Sequence, residues 1–507
     1  MSSGGTQATD GTLLDVGRDG HERGLSVPKL ATGIPGFDHV AMGGLPARRA
    51  TVVAGQAGSA KTVLAGQFLA QGVRRGQPGV FVTLEEPAAD LRANLLTLGW
   101  DVAAWEAADD WRFVDASPLA TSPGAAPYSL ETLAAQIGHA VDATGADRLV
   151  LDSLNAMLSL HQDAAAARQL LRSLITSLRA MGLTVLLTVE TPGDPGGTLS
   201  RYGVEEFVAD NVVLLRNVHE GSFRRRTLEV LKMRGAMHHK GDVAFTVLPG
   251  RGLMVLPIGA PDPSPQGMHE RVSTGNAGID ELAQGGLFRG TSTLVSGPTG
   301  TGKTLIATQF AAEGAAQGEK VLLLAYEENR EQVYRNGTTF GHDLRAYEEQ
   351  GLLTLVSLYP EAASLDDHLV AIRDLVERHS PGRLVVDSLS ALERLGSASA
   401  YREFVIGLTS YVKQLGLASL VTASSPHLVS GTSVTESHIS GLIDTIVVLR
   451  YVEVDSEVTR GILLLKMRGS GHDQKIRELI IEDGSMVVGE PFKGLTGILT
   501  GQTSPLS

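Results

Sequence analysis

The segment GPTGTGKT, residues 297–304, has the residue types and spacing of a phosphate-binding loop. It follows the apolar run STLVSG and precedes the helical pattern LIATQFAAEGA, the strand-to-helix setting that such a loop requires. Backbone N–H groups would wrap the phosphates, Lys303 would reach the β- and γ-phosphate oxygens, and Thr304 would bind Mg²⁺. We therefore predict an ATP site with magnesium, built from Gly297, Gly300, Gly302, Lys303 and Thr304.

A second loop, GQAGSAKT at residues 55–62, has nearly the same pattern. Ala60 stands where the pattern has glycine, so a methyl group must fit a tight backbone position. Nucleotide binding is still expected, through Gly55, Gly58, Lys61 and Thr62.

Two aspartates, Asp152 and Asp387, each end an apolar run and are followed by Ser-Leu. This pattern is typical of the acidic residue that holds the water shell of magnesium in P-loop ATPases. The alternative is an aspartate that caps the next helix. The predicted metal-site residues are Thr62, Asp152, Thr304 and Asp387.

Paired glutamates follow the next apolar run in each half of the chain. They stand at the carboxyl end of a predicted strand, the edge where open α/β sheets build their sites. One carboxylate would activate the attacking oxygen of water or a hydroxyl, and its neighbour would orient or polarise it. The alternative is a solvated acidic strand end. The predicted catalytic residues are Glu85, Glu86, Glu327 and Glu328.

The sequence LKMRG occurs late in each half and places two cations on one face of a strand. Such cations, distant in sequence from the P-loop, are expected to stabilise a transition state across a subunit boundary, which requires a ring. Surface charges are the alternative. The cations are Lys232, Arg234, Lys466 and Arg468.

All of these motifs recur because the chain contains one domain twice. Residues 30–62 align with residues 272–304 at a constant offset of 242, and the segment LPIGAPDPSPQGMHE between the copies has four prolines, typical of a linker. We predict a loose tail at 1–25, domains at 26–255 and 271–495, a linker at 256–270 and a short tail at 496–507.

Short apolar runs alternate with helical patterns in both copies, which predicts a mostly parallel sheet flanked by helices. Antiparallel strands are expected at one edge, where no helix intervenes. The segment ARQLLRSLITSLRAMG is predicted to be an amphipathic helix with a glycine stop at Gly182. Its buried face would comprise Leu171, Leu174, Ile175 and Leu178.

Composition narrows the function classes. Of the 507 residues, 43% are hydrophobic and 20% charged, and no apolar run approaches the roughly 18 residues of a membrane span. The polar, Gly-rich opening lacks a secretory signal pattern, so a cytoplasmic location is expected. A net charge of -13 argues against a nucleic-acid partner, and the absence of cysteine excludes disulfides and thiolate metal sites.

Taken together, the motifs resemble those of the KaiC family. The resemblance rests on two P-loop halves, each with paired glutamates, DSL and K-x-R-G, together with RYGVEEFVADNVVLLRNV at 201–218 and ESHISGLIDTIVVLRYVEV. It implies two tandem RecA-like domains in a homohexameric double ring, with ATP between neighbouring subunits. The first ring would be a slow ATPase, and the second an autokinase and autophosphatase.

The resemblance also implies residue roles. In the first ring Glu85 would be the general base, and Phe207 and Arg234 would shape the site of the attacking water. In the second ring Glu327 would be the base of phosphoryl transfer. The residues that would meet a neighbour's nucleotide are Lys232, His238 and Lys240 in the first ring and Arg460, Lys466 and Arg468 in the second.

The segment TESHISG, residues 435–441, corresponds to the family's phosphoacceptor site. The family has an adjacent Ser-Thr pair there, whereas this chain has Ser440 followed by Gly441. A two-site phosphorylation cycle is therefore not expected, while Ser440 or Thr435 remains as a single acceptor. The chain also stops before the family's longer segment that binds KaiA, so a KaiA-type activator is not expected. A KaiB-like protein or a histidine kinase is the expected partner.

Two rival functions share this fold. A DNA-dependent RecA-type ATPase would need a basic surface, and FRRR at 223–226 is the only dense basic run. A nucleotide-sensing scaffold would bind ATP and assemble without transferring phosphate, which the intact Lys303, Glu327 and Glu328 disfavour.

Overall fold

The computed structural model describes residues 27–117, 130–159, 163–191, 208–220, 223–256, 270–424, 439–454, 456–482, 484–493, 495–496 and 504–505. The predicted tail at 1–25, nearly all of the linker, Phe207 and Thr435 lie outside these residues. Among the helices of the described part, none is long and apolar enough to cross a membrane.

The strands described in the first half form one large sheet and one small pair. They are β1 (Lys29–Leu30), β2 (Leu45–Pro46), β3 (Ala50–Gly55), β4 (Gly79–Thr83), β5 (Trp111–Asp115), β6 (Arg148–Asp152), β7 (Thr184–Glu190), β8 (Asn211–Glu220), β9 (Phe223–Met233), β10 (Val243–Leu248) and β11 (Gly252–Val255). The nine-stranded sheet has the order β11-β10-β9-β8-β3-β7-β6-β4-β5, and β1 pairs with β2.

The second half repeats this arrangement. Its described strands are β12 (Arg271–Val272), β13 (Leu287–Phe288), β14 (Thr291–Gly297), β15 (Val321–Ala325), β16 (Leu353–Ser357), β17 (Arg383–Asp387), β18 (Ala418–Ser424), β19 (Thr445–Val454), β20 (Glu457–Met467), β21 (Arg477–Glu482), β22 (Ser485–Pro491), β23 (Leu495–Thr496) and β24 (Ser504–Pro505). The large sheet has the order β16-β15-β17-β18-β14-β19-β20-β21-β22.

Helices cover both faces of these sheets. In the first half they are α1 (Phe37–Val40), α2 (Lys61–Val73), α3 (Ala88–Leu96), α4 (Val102–Ala107), α5 (Leu130–Thr144), α6 (Leu154–Leu158) and α7 (Ala164–Ala180). In the second half they are α8 (Ala277–Leu282), α9 (Lys303–Ala316), α10 (Arg330–Thr339), α11 (Leu344–Glu349), α12 (Leu365–His379), α13 (Ser390–Glu393) and α14 (Ala398–Leu415), with a 3₁₀ turn at Pro360–Ala362.

The predicted fold is confirmed. Six strands of each sheet are parallel, and β9 to β11 and β20 to β22 extend it antiparallel at one edge. Every residue of β3 is buried, as expected for a parallel strand covered on both faces. The amphipathic helix is α7, which ends two residues before Gly182 and buries the predicted face, Leu171, Leu174, Ile175 and Leu178.

The two halves are in direct contact. Arg225, at the start of β9, pairs with Asp366 at 3.1 Å and Glu403 at 2.5 Å in the second half, and its side chain is only 13% exposed. Phe223 packs against the second domain's apolar core, and Glu220 accepts hydrogen bonds from Ser397 at the start of α14. The β8–β9 hairpin therefore joins the two domains.

Candidate nucleotide and phosphoryl-transfer sites

The second P-loop joins β14, the central strand of its sheet, to α9. Gly302 precedes the helix with φ 107°, a conformation that favours glycine. Lys303 is 8% exposed, and its ammonium donates to the carbonyl of Pro298 at 2.9 Å, inside the loop. Burial lowers the pKa of Lys303 from its usual value.

The first P-loop has the same form in spite of Ala60. Lys61 donates to the carbonyls of Gly55 and Gln56, each at 2.8 Å. Ala60 takes the left-handed conformation that Gly302 has in the second loop, with φ 69° and ψ 29°. For a residue with a Cβ atom this conformation costs about 1–2 kcal/mol. The loop thus keeps its phosphate-binding shape at some expense of stability.

The predicted metal residues meet in both domains. Thr62 donates to Asp152 at 2.7 Å, and Thr304 makes the corresponding hydrogen bond to Asp387. Burial raises the pKa of the Asp387 carboxyl. A hydroxyl and a carboxylate are hard oxygen ligands that suit Mg²⁺, which takes few protein ligands and completes its shell with phosphates and water. Within the described residues, no group of three or more His, Asp or Glu side chains has an arrangement that could hold a metal ion by itself.

The first glutamate of each pair is held by a serine. Ser153 donates to Glu85 and Ser388 to Glu327, both at 2.6 Å. The register of adjacent strands sets this geometry, because Ala325 at the end of β15 pairs with Asp387 at the end of β17. Glu327 and Ser388 follow these two residues and therefore come close together. Sequence reasoning missed these serines, although the repeated Asp-Ser dipeptide was a usable signal.

The second glutamates lie in less favourable surroundings for a charge. Burial, followed by neighbouring carboxylates, raises the pKa of Glu86. Burial and Asp387 raise the pKa of Glu328, while Asn336 and Arg335 oppose the rise.

In the second domain these groups converge on one cleft of about 380 Å³. Charged and polar groups line the cleft together with the apolar side chains of Phe340 and Ile481. The predicted site residues in the lining are Gly300, Gly302, Lys303, Thr304, Glu327, Glu328, Asp387 and Arg460. A cleft with a P-loop, carboxylates and an apolar wall can hold a nucleoside triphosphate.

The LKMRG cations lie near the amino ends of the parallel strands, whereas the P-loop lies at the carboxyl ends of those strands. Lys466 donates to the carbonyls of Ser440 at 2.7 Å and Ile443 at 2.8 Å, and Arg468 donates to Gly441 at 2.6 Å. In the first domain Lys232 donates to Ala209 at 2.9 Å. The cations therefore hold the turn before β19, which carries the predicted acceptor Ser440, and the corresponding segment before β8.

Strand register gives the distance between the amino ends of the strands, where the cations lie, and the carboxyl ends, where the P-loop begins. Thr445 pairs with Thr293 of β14 and with Met467 of β20, whereas the P-loop begins at Gly297. Four residues of strand separate the two levels, roughly 13 Å at 3.3 Å per residue. Ser440 precedes Thr445 and is held near the amino ends of the strands by Lys466. It therefore lies away from the P-loop of its own chain.

Arg460 differs from the other predicted intersubunit cations. It pairs with Tyr451 on the P-loop side of β20, and its Nε donates to the carbonyl of Gly300 at 3.3 Å. The structure thus places Arg460 in the cleft of its own chain. Arg226 is its first-domain counterpart, since it pairs with Asn217, which contacts Gly58 at 3.2 Å. Sequence reasoning did not assign Arg226, whose signal was the FRRR run.

His238 and Lys240 follow β9 on the surface at the same edge as Lys232. The Nδ1 atom of His238 lies 2.9 Å from the carbonyl oxygen of His239. Arg234 also lies at this edge, because its N–H donates to the carbonyl of Asp210 at 3.2 Å.

Comparison with known proteins decides the family. A family model described as "ATPase: KaiC" matches residues 30–260 and 272–493, one match for each domain. The chain belongs to the KaiC family. Its KaiC relatives include circadian clock protein KaiC3 of Synechocystis sp., 47% identical over 96% of this chain and 96% of that protein. The circadian clock oscillator protein KaiC of Parathermosynechococcus lividus is 40% identical over 96% of this chain and 91% of its own length. That of Synechococcus elongatus is 40% identical over 95% and 93%.

Proposed function

We propose that this KaiC-family ATPase is a homohexamer whose second domain transfers phosphate from ATP to Ser440 of a neighbouring subunit. The observation that supports transfer between subunits is the separation of the two edges. The P-loop lies at the carboxyl ends of the strands, while Ser440, Lys466 and Arg468 lie at the amino ends. If the nucleotide binds at a subunit boundary, the P-loop of one subunit faces Ser440 of the next subunit.

The chemistry follows from the residues in the cleft. Glu327, aimed by Ser388, accepts the proton of the incoming Ser440 hydroxyl, and the freed oxygen attacks the γ-phosphorus. The bond from the γ-phosphorus to the bridging oxygen breaks, and ADP leaves. Lys303 binds the β- and γ-phosphates, and the neighbour's Lys466 and Arg468 stabilise the developing charge. Magnesium, held by Thr304 and Asp387, would neutralise charge on the phosphates.

In the first domain the corresponding residues would act on an attacking water, the ATPase role that the resemblance implies for the first ring. Glu85 and Ser153 correspond to Glu327 and Ser388, and Thr62 and Asp152 would hold magnesium. Lys232, Arg234, His238 and Lys240 lie at the amino-end edge, where a neighbour's nucleotide would bind. Arg226 and Arg460 act instead on the nucleotide of their own chain.

A mixing experiment tests transfer between subunits. Glu327→Gln chains keep the acceptor but lack the base, and Ser440→Ala chains keep the base but lack the acceptor. After joint assembly in Mg-ATP, mass spectrometry should find phosphate on Ser440 of the Glu327→Gln chains only when both proteins are present. Wild-type protein with ATP turnover but no phosphate at Ser440 or Thr435 would contradict the kinase function and leave an ATPase.

Two rival functions are less well supported. In the FRRR run Arg225 is committed to Asp366 and Glu403, so little of this run offers a basic surface to DNA. ATP turnover that rises severalfold with single-stranded DNA would favour the DNA-dependent RecA-type ATPase. A nucleotide-sensing scaffold would show assembly without turnover.

The relatives' names, which describe circadian clock proteins, support a role in timing. The partner that we propose is a KaiB-like protein or a histidine kinase. Co-purification of either with the ATP-bound hexamer tests this assignment.

A further inference from the structure

The two active sites differ at the second glutamate of each pair. In the second domain the side-chain amide of Asn336 donates to the Glu328 carboxylate, with Nδ2 at 3.1 Å from Oε1 and 3.0 Å from Oε2. Both residues line the nucleotide cleft. In the first domain Asn94 occupies the matching position, at the repeat offset of 242, but it is exposed. Both Asn94 and Glu86 are described, and no hydrogen bond joins them.

The helix that follows each glutamate pair accounts for this difference. In the second domain α10 begins with a capping box, in which Asn329 and Gln332 exchange hydrogen bonds of 2.9 Å. The box fixes the start of the helix, and two turns later Asn336 faces back toward Glu328. In the first domain α3 begins at Ala88, and the preceding residue, Pro87, provides no side-chain cap.

We propose that Asn336 is a positioning residue, which holds the Glu328 carboxylate at the side of the cleft so that Glu327 alone addresses the attacking hydroxyl. This inference rests on the proposed function of the second site. A hydroxyl tethered to another subunit has few ways to approach, so a misplaced carboxylate next to the base would hinder it. Water in the first site is not tethered, and Glu86 works there without such a donor.

The environment of Glu328 makes the amide contact matter. Asp387 and Glu327 lie near it and repel its charge, while Arg335 attracts it. Without the Asn336 amide, the Glu328 carboxylate would be free to turn toward Arg335 and solvent or to accept the hydroxyl intended for Glu327. Either movement would lower the rate of the chemical step without removing a contact to ATP.

The test measures the second site alone, in full-length protein carrying Glu85→Gln. There Asn336→Leu, which has a similar size and no donor, should lower kcat for ATP turnover about tenfold and leave the KM for ATP within about twofold. Phosphate at Ser440 should accumulate more slowly by a similar factor. Asn336→Asp, which replaces the donor with a carboxylate, should be at least as slow.

A matched control and a double variant separate positioning from general damage. In the Glu327→Gln background, which reads the first site, Asn94→Leu should leave turnover unchanged. With Glu328→Gln already present, Asn336→Leu should cause little further loss, because Asn336 acts through that carboxylate.

An unchanged kcat in both Asn336 variants would overturn the inference, as would a raised KM with normal kcat, since Asn336 would then be a nucleotide contact. Multiplying losses in the double variant would also overturn it. No second-site turnover in the Glu85→Gln reference would instead refute the proposed function of that site, and the inference with it.

Discussion

At the scale of single residues, the methyl group of Ala60 introduces backbone strain into the first P-loop. It adopts the conformation in which the second loop has Gly302, so the backbone strain is specific to the first domain. Ala60→Gly should therefore raise the stability of the first domain by about 1 kcal/mol. Calorimetry with and without ATP measures the change.

The reverse substitution in the second loop is the matched control. Gly302→Ala should destabilise, because its φ is 107° and a Cβ atom there would lie 2.7 Å from Ile481. Equal effects of the two substitutions would contradict this account of the loops.

Glu86 carries a prediction about pH. Its folded-state pKa is raised from the usual 4.5, first by burial and then by the charges of Asp152, Asp90 and Glu85. A raised carboxyl pKa means that ionisation opposes folding, so the penalty is absent at low pH and appears as the pH rises through that pKa. Glu86→Gln should then stabilise the nucleotide-free protein at pH 7.5 and have little effect near pH 4.5. Thermal unfolding across this range, with exposed Asn94→Ala as a neutral reference, checks the sign.

At the scale of elements, β20 carries candidate site residues at both of its ends. Arg460 lies near its P-loop end, and Lys466 and Arg468 lie near the other end, six and eight residues later. The resemblance implied that all three cations meet a neighbour's nucleotide, and nothing in the sequence set Arg460 apart from the other two. The register of β20 against β19 separates them.

The acceptor turn between β18 and β19 has room for a second hydroxyl. Among the residues that the structure describes, none places a heavy atom within 4 Å of a Cβ atom built at Gly441. We therefore expect Gly441→Thr to fold normally and, if the site acts as proposed, to gain a second phosphate beside Ser440. Intact-mass measurement after incubation with ATP would show two additions per chain. A folded variant limited to one addition would contradict this expectation.

The sequence was sufficient for groups that stand in contiguous motifs. The P-loops, Asp152, Asp387 and the glutamate pairs were predicted because each motif fixes its own local geometry, and the repeat showed each motif twice. The contact from Asn336 to Glu328 could not be predicted, because Asn94 has the same spacing and does not make it. The difference depends on how each helix begins and packs.

At the scale of the whole molecule, the two domains are joined by the partly buried charges around Arg225. Removing this cation would leave Asp366, whose side chain is 14% exposed, without its partner. Arg225→Ala should cost about 2–3 kcal/mol at the domain contact. It should separate the thermal unfolding of the two domains into distinct transitions.

Arg224→Ala is the control for that experiment. Arg224 is the preceding residue of the same strand, is exposed, and donates to Asn217 within its own hairpin. Its loss should leave the unfolding profile nearly unchanged. Equal shifts for the two variants would show that the charges around Arg225 do not hold the domains together.

Gly441 has a consequence for the information that the turn can store. Two adjacent hydroxyls have four covalent states, and the order in which they fill and empty distinguishes a rising phase from a falling one. The pair Ser440-Gly441 has one hydroxyl and therefore two states. A mark at Ser440 would record an amount, such as recent energy supply, and carry no memory of direction.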